Sequence, residues 1–208
     1  KGETLNNTTE IQPNDVTKIG ENLYRKIKQI HSIEYVPYDI EEQKQYSNWY
    51  KLIKNQYDEY LTKIVEIGFL DEAEKRKIEG FIESLRPELE EVKTTFVHAD
   101  LKGANIVYQK ENNQVFPIDF EVCFVGDPDF DWARIILQTD KKIAGIDLSI
   151  YQSCLNCNRE KMEAFRKTDK YLLYYLKVLI EWYVLDAVKI GVISETPKTE
   201  IKRILKEI

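Results

Sequence analysis

Between Phe96 and Asn105 the chain reads Phe-Val-His-Ala-Asp-Leu-Lys-Gly-Ala-Asn, so His98, Asp100, Lys102 and Asn105 fall in one short stretch. Ile118-Asp119-Phe120-Glu121 follows, with Asp119 fourteen residues after Asn105. Two carboxylates and an amide brought to one point suit phosphoryl transfer. The barrier of that reaction is mostly charge and alignment, so a protein must orient a hydroxyl nucleophile and hold magnesium across the phosphates. Mg²⁺ prefers hard oxygen ligands, which Asn105 and Asp119 can supply while waters and phosphate oxygens complete the shell. Asp100 is then left to accept the proton of the attacking hydroxyl. An ordinary aspartate pKa near ~4 suits a base that takes its proton late.

These residues need strands to deliver them. Thr94–Val97, Ile106–Tyr108 and Val115–Ile118 are short runs rich in β-branched and aromatic residues, and Glu111-Asn112-Asn113 makes a turn between the last two. A hairpin returns the chain to where it left, so Asp119 is expected beside Asn105. Pro117 marks an edge strand. The rest reads as helix. Val16, Ile19, Leu23, Ile27 and Ile30 form an apolar stripe capped by Asn14 or Asp15 after Pro13. A second helix is expected over about Glu41–Ile67, and a third is capped by Asp71 and stopped at Pro87. Helix resumes at Asp131, the longest one running from about Arg159 to Ile190, and a last begins at Thr196-Pro197. His31 reads as a cap or surface residue. Tyr174, Trp182 and Tyr183 read as core or as the wall of a substrate pocket.

The pattern H-x-D-L-K-x-x-N, then I-D-F, resembles the catalytic and metal loops of the protein-kinase-like superfamily. Gly126-Asp127-Pro128-Asp129-Phe130-Asp131-Trp132-Ala133 is similar to the G-D-P-x-x-D-[LW]-A segment of aminoglycoside phosphotransferases and their choline-kinase-like relatives. A lone H-x-D is common. Here Asp100, Asn105, Asp119 and Asp131 fit one template together. The resemblance implies Asp100 as catalytic base and Asn105 and Asp119 as magnesium and nucleotide ligands. It also implies that His98 braces the loop, that Asp131 anchors the loop's backbone, and that Lys102 steadies the transferred phosphate. Many antibiotic kinases carry no lysine at that place. Glu121 stands where protein kinases have a glycine, which speaks against a mobile activation segment.

The implied fold is mainly α with a small β-hairpin: the C-terminal lobe of the protein-kinase-like fold, with its N-terminal lobe absent. Residues 1–12 would be a hinge segment and 13–208 the helical catalytic and substrate-binding lobe. None of the eight glycines falls as G-x-G-x-x-G, and the chain begins at Lys1 with Met162 its only methionine. Both suit a piece of a longer enzyme that is inactive alone. The implied activity is transfer of the γ-phosphate of ATP or GTP to a hydroxyl of a small molecule, most readily an aminoglycoside-type antibiotic, hence antibiotic resistance. The alternatives are a choline, sugar or macrolide kinase, or a non-catalytic binding module. Glu181 and Asp186 could bind a cationic substrate or could be solvated helix charges.

Composition sets bounds. Thirty Lys+Arg against 36 Asp+Glu give a net charge of −6, which argues against a nucleic-acid binder and suits a cationic substrate. Cys154 and Cys157 form a C-x-x-C, but with only Cys123, His31 and His98 beside them they read as helix-packing thiols. No apolar run reaches the ~18 residues of a membrane span, and no signal peptide opens the chain. A cytoplasmic location is expected.

Overall fold

The computed structural model describes residues 2–5, 11–34, 48–141, 148–190 and 195–208. Contacts divide the chain into two compact units, residues 1–36 with 94–167 and residues 37–93 with 168–208.

In the first unit, β1 (Glu3–Thr4), β3 (Ile106–Gln109) and β4 (Gln114–Pro117) form an antiparallel sheet in the order β1-β3-β4. The β3–β4 register pairs Ile106 with Pro117 and Gln109 with Gln114, which is the expected hairpin, and β4 is the expected edge. A second, two-stranded sheet joins β2 (Thr95–Val97) to β5 (Phe124–Gly126). Strand β5 was not foreseen, and neither was β1, which is too short and polar to leave a pattern.

Helix α1 (Pro13–His31) buries Ile19, Leu23, Ile27 and Ile30. Its cap is Gln12 rather than Asn14 or Asp15. Pro13 has the φ of the first helical position and no N–H to satisfy, so the helix starts there. Asp15 falls in the first turn and accepts from Asn113 Nδ2 at 2.9 Å. Helices α5 (Asp129–Lys141), α6 (Leu148–Asn156) and α7 (Arg159–Phe165) complete the unit. α1 packs on α6 at Gly20, where a Cβ would lie 2.5 Å from Ser153 Cβ, so only glycine permits this approach.

The second unit is helical. Asn48 caps α2 (Trp49–Glu66), which buries Trp49, Ile53, Tyr57, Leu61 and Ile64. The start expected near Glu41 and the inward Tyr46 lie outside the described residues. Asp71 and Glu74 form a reciprocal capping box on α3 (Glu72–Ser84). α3 stops before Pro87, which opens the short α4 (Arg86–Glu90) instead. α8 (Asp169–Leu185) starts where Thr168 Oγ1 accepts from Tyr171 N at 3.1 Å. It passes into a π-helical turn over Asp186–Ile190, and α9 (Glu195–Glu207) follows. The single helix expected over Arg159–Ile190 is therefore broken before the Thr168 cap. Apolar periodicity carries across that break, which hides it.

Burial, and then a hydrogen bond to Glu83, push the Tyr50 hydroxyl up to about 12. Burial also raises Tyr57 and Tyr175. An unfolded tyrosine ionises near ~10. Above that pH the folded unit retains protons that the unfolded chain has lost, so stability falls as pH rises. The urea midpoint is expected to decline between about pH 10 and pH 12, less steeply in Tyr50→Phe. Identical slopes for the two proteins would contradict this assignment.

Candidate active site

Two loops carry the residues of interest. Residues 98–105 join β2 to β3, and residues 118–123 join β4 to β5. Because β3 pairs with β4 and β2 with β5, the loops have to run side by side. The tie is direct: Ile118 N–H donates to the Asn105 carbonyl at 2.8 Å. The backbone of Asp119 thus arrives one residue from the partner of Asn105, as the hairpin predicts.

His98 is fully buried. Its Nδ1 accepts from Asp100 N at 3.3 Å, which leaves the proton on Nε2 to donate to the Ile118 carbonyl at 3.0 Å. The ring therefore ties one loop to the other, with Phe120 against its face at 4.5 Å. Asp131, fully buried near the start of α5, accepts from His98 N at 3.0 Å and Ala99 N at 2.8 Å. Those two bonds hold Ala99 at φ 65°, a left-handed conformation that costs an alanine roughly 1–2 kcal/mol. Asp119 sits at φ 63°, which an aspartate tolerates more readily.

His31 corrects the sequence reading. It is neither cap nor surface residue: it is buried, with Nε2 2.9 Å from Asp131 Oδ2 and an edge-on contact to Trp132. Its partners, Asp131 and Trp132, belong to α5, a contact that spacing along one helix cannot show.

Asp100 is the most heavily bonded group. Asn105 Nδ2 donates to its Oδ2 at 2.8 Å and to its carbonyl at 3.0 Å. Lys102 Nζ lies 2.6 Å from Oδ2 and Arg134 donates to Oδ1 at 2.6 Å. Burial would raise this carboxyl, but the Arg134 guanidinium, with Lys102, outweighs it and holds the group below its ordinary value. Both amide hydrogens of Asn105 are thereby spent, so its amide oxygen is the side left for a cation. Asp119 is exposed. Among the described residues no three His, Cys, Asp or Glu side chains form a metal cage. A cation here would rest on one amide, one carboxylate and oxygens that it brings with it, a donor set that suits Mg²⁺.

Glu181, in the second unit, accepts from Lys177 Nζ at 3.0 Å, and Asp186 is buried at the π-helical turn, so neither is a solvated helix charge. Tyr174 and Tyr183 are core residues, while Trp182 is half-buried. Cys154 is buried in α6, with its thiol raised by that burial, whereas Cys157 is exposed and only half fits a packing role. Among the described residues no helix is long and apolar enough to cross a membrane.

The family model for choline/ethanolamine kinase matches residues 1–208. The chain belongs to this family. Comparison with curated protein sequences gives no match. Solved structures place the choline/ethanolamine kinase family member on the kinase-like fold. A thermostable mutant of the aminoglycoside phosphotransferase APH(4)-Ia, in a ternary complex with AMP-PNP and hygromycin B, superposes with a TM-score of 0.68 at 15% identity. That match covers 99% of this chain and 69% of the other. The gentamicin complex of APH(2")-IIa gives 0.65 at 18%, over 100% and 68%. An ethanolamine kinase of Plasmodium vivax gives 0.61 at 14%, over 100% and 62%. The fold is thus mainly helical with small antiparallel sheets, as expected.

Sequence reasoning missed two residues that hold the 98–105 loop of this choline/ethanolamine kinase family member. Arg134 holds Asp100, and Gln138 Nε2 donates to the Leu101 carbonyl at 2.6 Å. The available signal was their spacing of three and seven residues after Asp131, which puts all three on one helix face.

Proposed function

We propose that the protein transfers the γ-phosphate of ATP to a hydroxyl of a small amine-bearing molecule, with Asp100 as catalytic base. The observation that carries this reading is the side-by-side course of the two loops, sealed by the Ile118–Asn105 hydrogen bond. Asn105 and Asp119 would hold Mg²⁺, which when bound neutralises charge on the phosphates. Asp100, fixed by Asn105, would take the proton of the attacking hydroxyl. The Lys102 side chain is 51% exposed, so it is free to leave Asp100 and meet the transferred phosphate.

Choline, ethanolamine and the aminoglycosides share one chemistry, hydroxyl groups on a cation. Membership of the choline/ethanolamine kinase family and the net charge of −6 both favour such a substrate. Within it we favour a small amino alcohol over an aminoglycoside, because the family to which the chain belongs is that of the choline/ethanolamine kinases. A role for Glu181 in binding the cation would require opening its pair with Lys177.

Labelled ATP or GTP incubated with choline, ethanolamine, gentamicin, hygromycin B, a hexose and a macrolide identifies the acceptor. In Asp100→Asn, kcat for that acceptor is expected to fall by about 10²–10⁴-fold, the usual worth of a positioned base, in a variant shown by circular dichroism to be folded at the assay temperature. Wild-type turnover in that variant would remove Asp100 from the mechanism. No labelled product and no calorimetric binding of Mg-nucleotide with the full-length protein would favour a non-catalytic module.

A further inference from the structure

One face of α5 grips four consecutive residues of the catalytic loop. Asp131 takes the N–H groups of His98 and Ala99, Arg134 takes the carboxylate of Asp100, and Gln138 takes the carbonyl of Leu101. Tyr151 of α6 adds a second donor to that carbonyl at 3.3 Å. Helix positions i, i+3 and i+7 point the same way, so the face reads the loop residue by residue. The resemblance to the protein-kinase-like superfamily implies a role on this face only for Asp131.

The carboxylate of Asp100 offers about four acceptor positions. Asn105 and Lys102 fill those of Oδ2, and Arg134 fills one on Oδ1. The remaining position is on the oxygen that Arg134 holds. Exposure separates the two cations: the Lys102 side chain is 51% exposed and that of Arg134 is 19% exposed. Lys102 can depart toward a phosphate while Arg134 stays in place. A guanidinium also fixes direction, because its donors lie in a rigid plane, whereas an ammonium acts as a point charge.

We propose that Arg134 is a positioning residue for phosphoryl transfer, orienting Asp100 so that the open side of Oδ1 faces the incoming hydroxyl. This rests on Asp100 acting as the base. Removing Arg134 leaves Asn105 and Lys102 on Oδ2 and lets the carboxylate turn about them. The alignment of the proton acceptor is lost, while the groups that bind nucleotide are untouched.

The test uses the intact protein with its best acceptor and four variants. Arg134→Ala is expected to lower kcat by ten- to a hundred-fold with KM for Mg-ATP unchanged, and guanidinium ion in the assay is expected to restore part of it. In an Asp100→Asn background the same substitution is expected to change kcat less than two-fold, because there is no base left to orient. Equal losses in the two backgrounds, or a loss expressed only in KM, would overturn the proposal. Should Arg134→Ala fail to fold, Arg134→Lys carries the test, because it keeps the charge and stem but not the planar fork. A kcat at least five-fold below wild type supports the proposal, and a wild-type kcat overturns it. Full activity in Asp100→Asn alone would instead sink the base assignment, which separates the two failures.

Discussion

Asp131→Ala is expected to destabilise the protein by about 3–5 kcal/mol, the combined cost of leaving several buried donors without their acceptor. The carboxylate is fully buried and serves three donors: His98 N, Ala99 N and His31 Nε2. Alanine leaves two backbone N–H groups and an imidazole buried with nothing to bond, at roughly 1–3 kcal/mol for each unsatisfied group before relaxation. Against a total stability of about 5–15 kcal/mol for a typical domain, that is a large share. Asp131→Asn keeps the shape but presents an NH₂ group to at least one of those donors, so an intermediate loss is expected. Ala99 should also leave its left-handed conformation, since the bond that holds it is gone. Urea denaturation reads the first effect. A midpoint within error of wild type for Asp131→Ala would show that the loop does not depend on this anchor.

Trp49→Ala should cost a similar amount, about 3–5 kcal/mol, for a different reason. Trp49 is fully buried at the start of α2, donates from Nε1 to the Tyr174 hydroxyl at 2.7 Å and meets that ring nearly edge-on at 6.1 Å. Truncation removes a large apolar surface, leaves a cavity and withdraws a donor from Tyr174. Trp49→Phe separates these contributions. It retains most of the aromatic packing and loses the indole hydrogen bond, with an expected cost of about 1–3 kcal/mol. Equal losses in the two variants would assign the whole effect to the hydrogen bond and refute the packing argument.

Much of the site was legible because its residues are close in sequence and of unusual type. His98, Asp100 and Asn105 lie on one loop, and the turn residues between two β-branched runs announce the hairpin that returns Asp119. The capping box at Asp71 and Glu74 is likewise local. What escaped was tertiary. His31 gave no sign that its ring would be buried against Asp131, because the partner lies on another helix. Arg134 and Gln138 resemble ordinary polar positions of an amphipathic helix until the loop is seen lying across them. The break before Thr168 was hidden by continuous apolar spacing, although Thr168 followed by Asp169 is itself a helix-start signal. The pairing of β2 with β5 had no local signature.

Both compact units are discontinuous in sequence, each assembled from an early and a late stretch of chain. A ribosome emitting this polypeptide cannot finish the first unit when α1 appears, because α6, the surface on which α1 rests at Gly20, is made long afterwards. Closing such distant contacts carries an entropic cost before any burial rewards it. The nascent chain therefore has to keep the apolar stripe of α1 from premature association until α6 has been made, which makes this helix the first place to look for chaperone dependence.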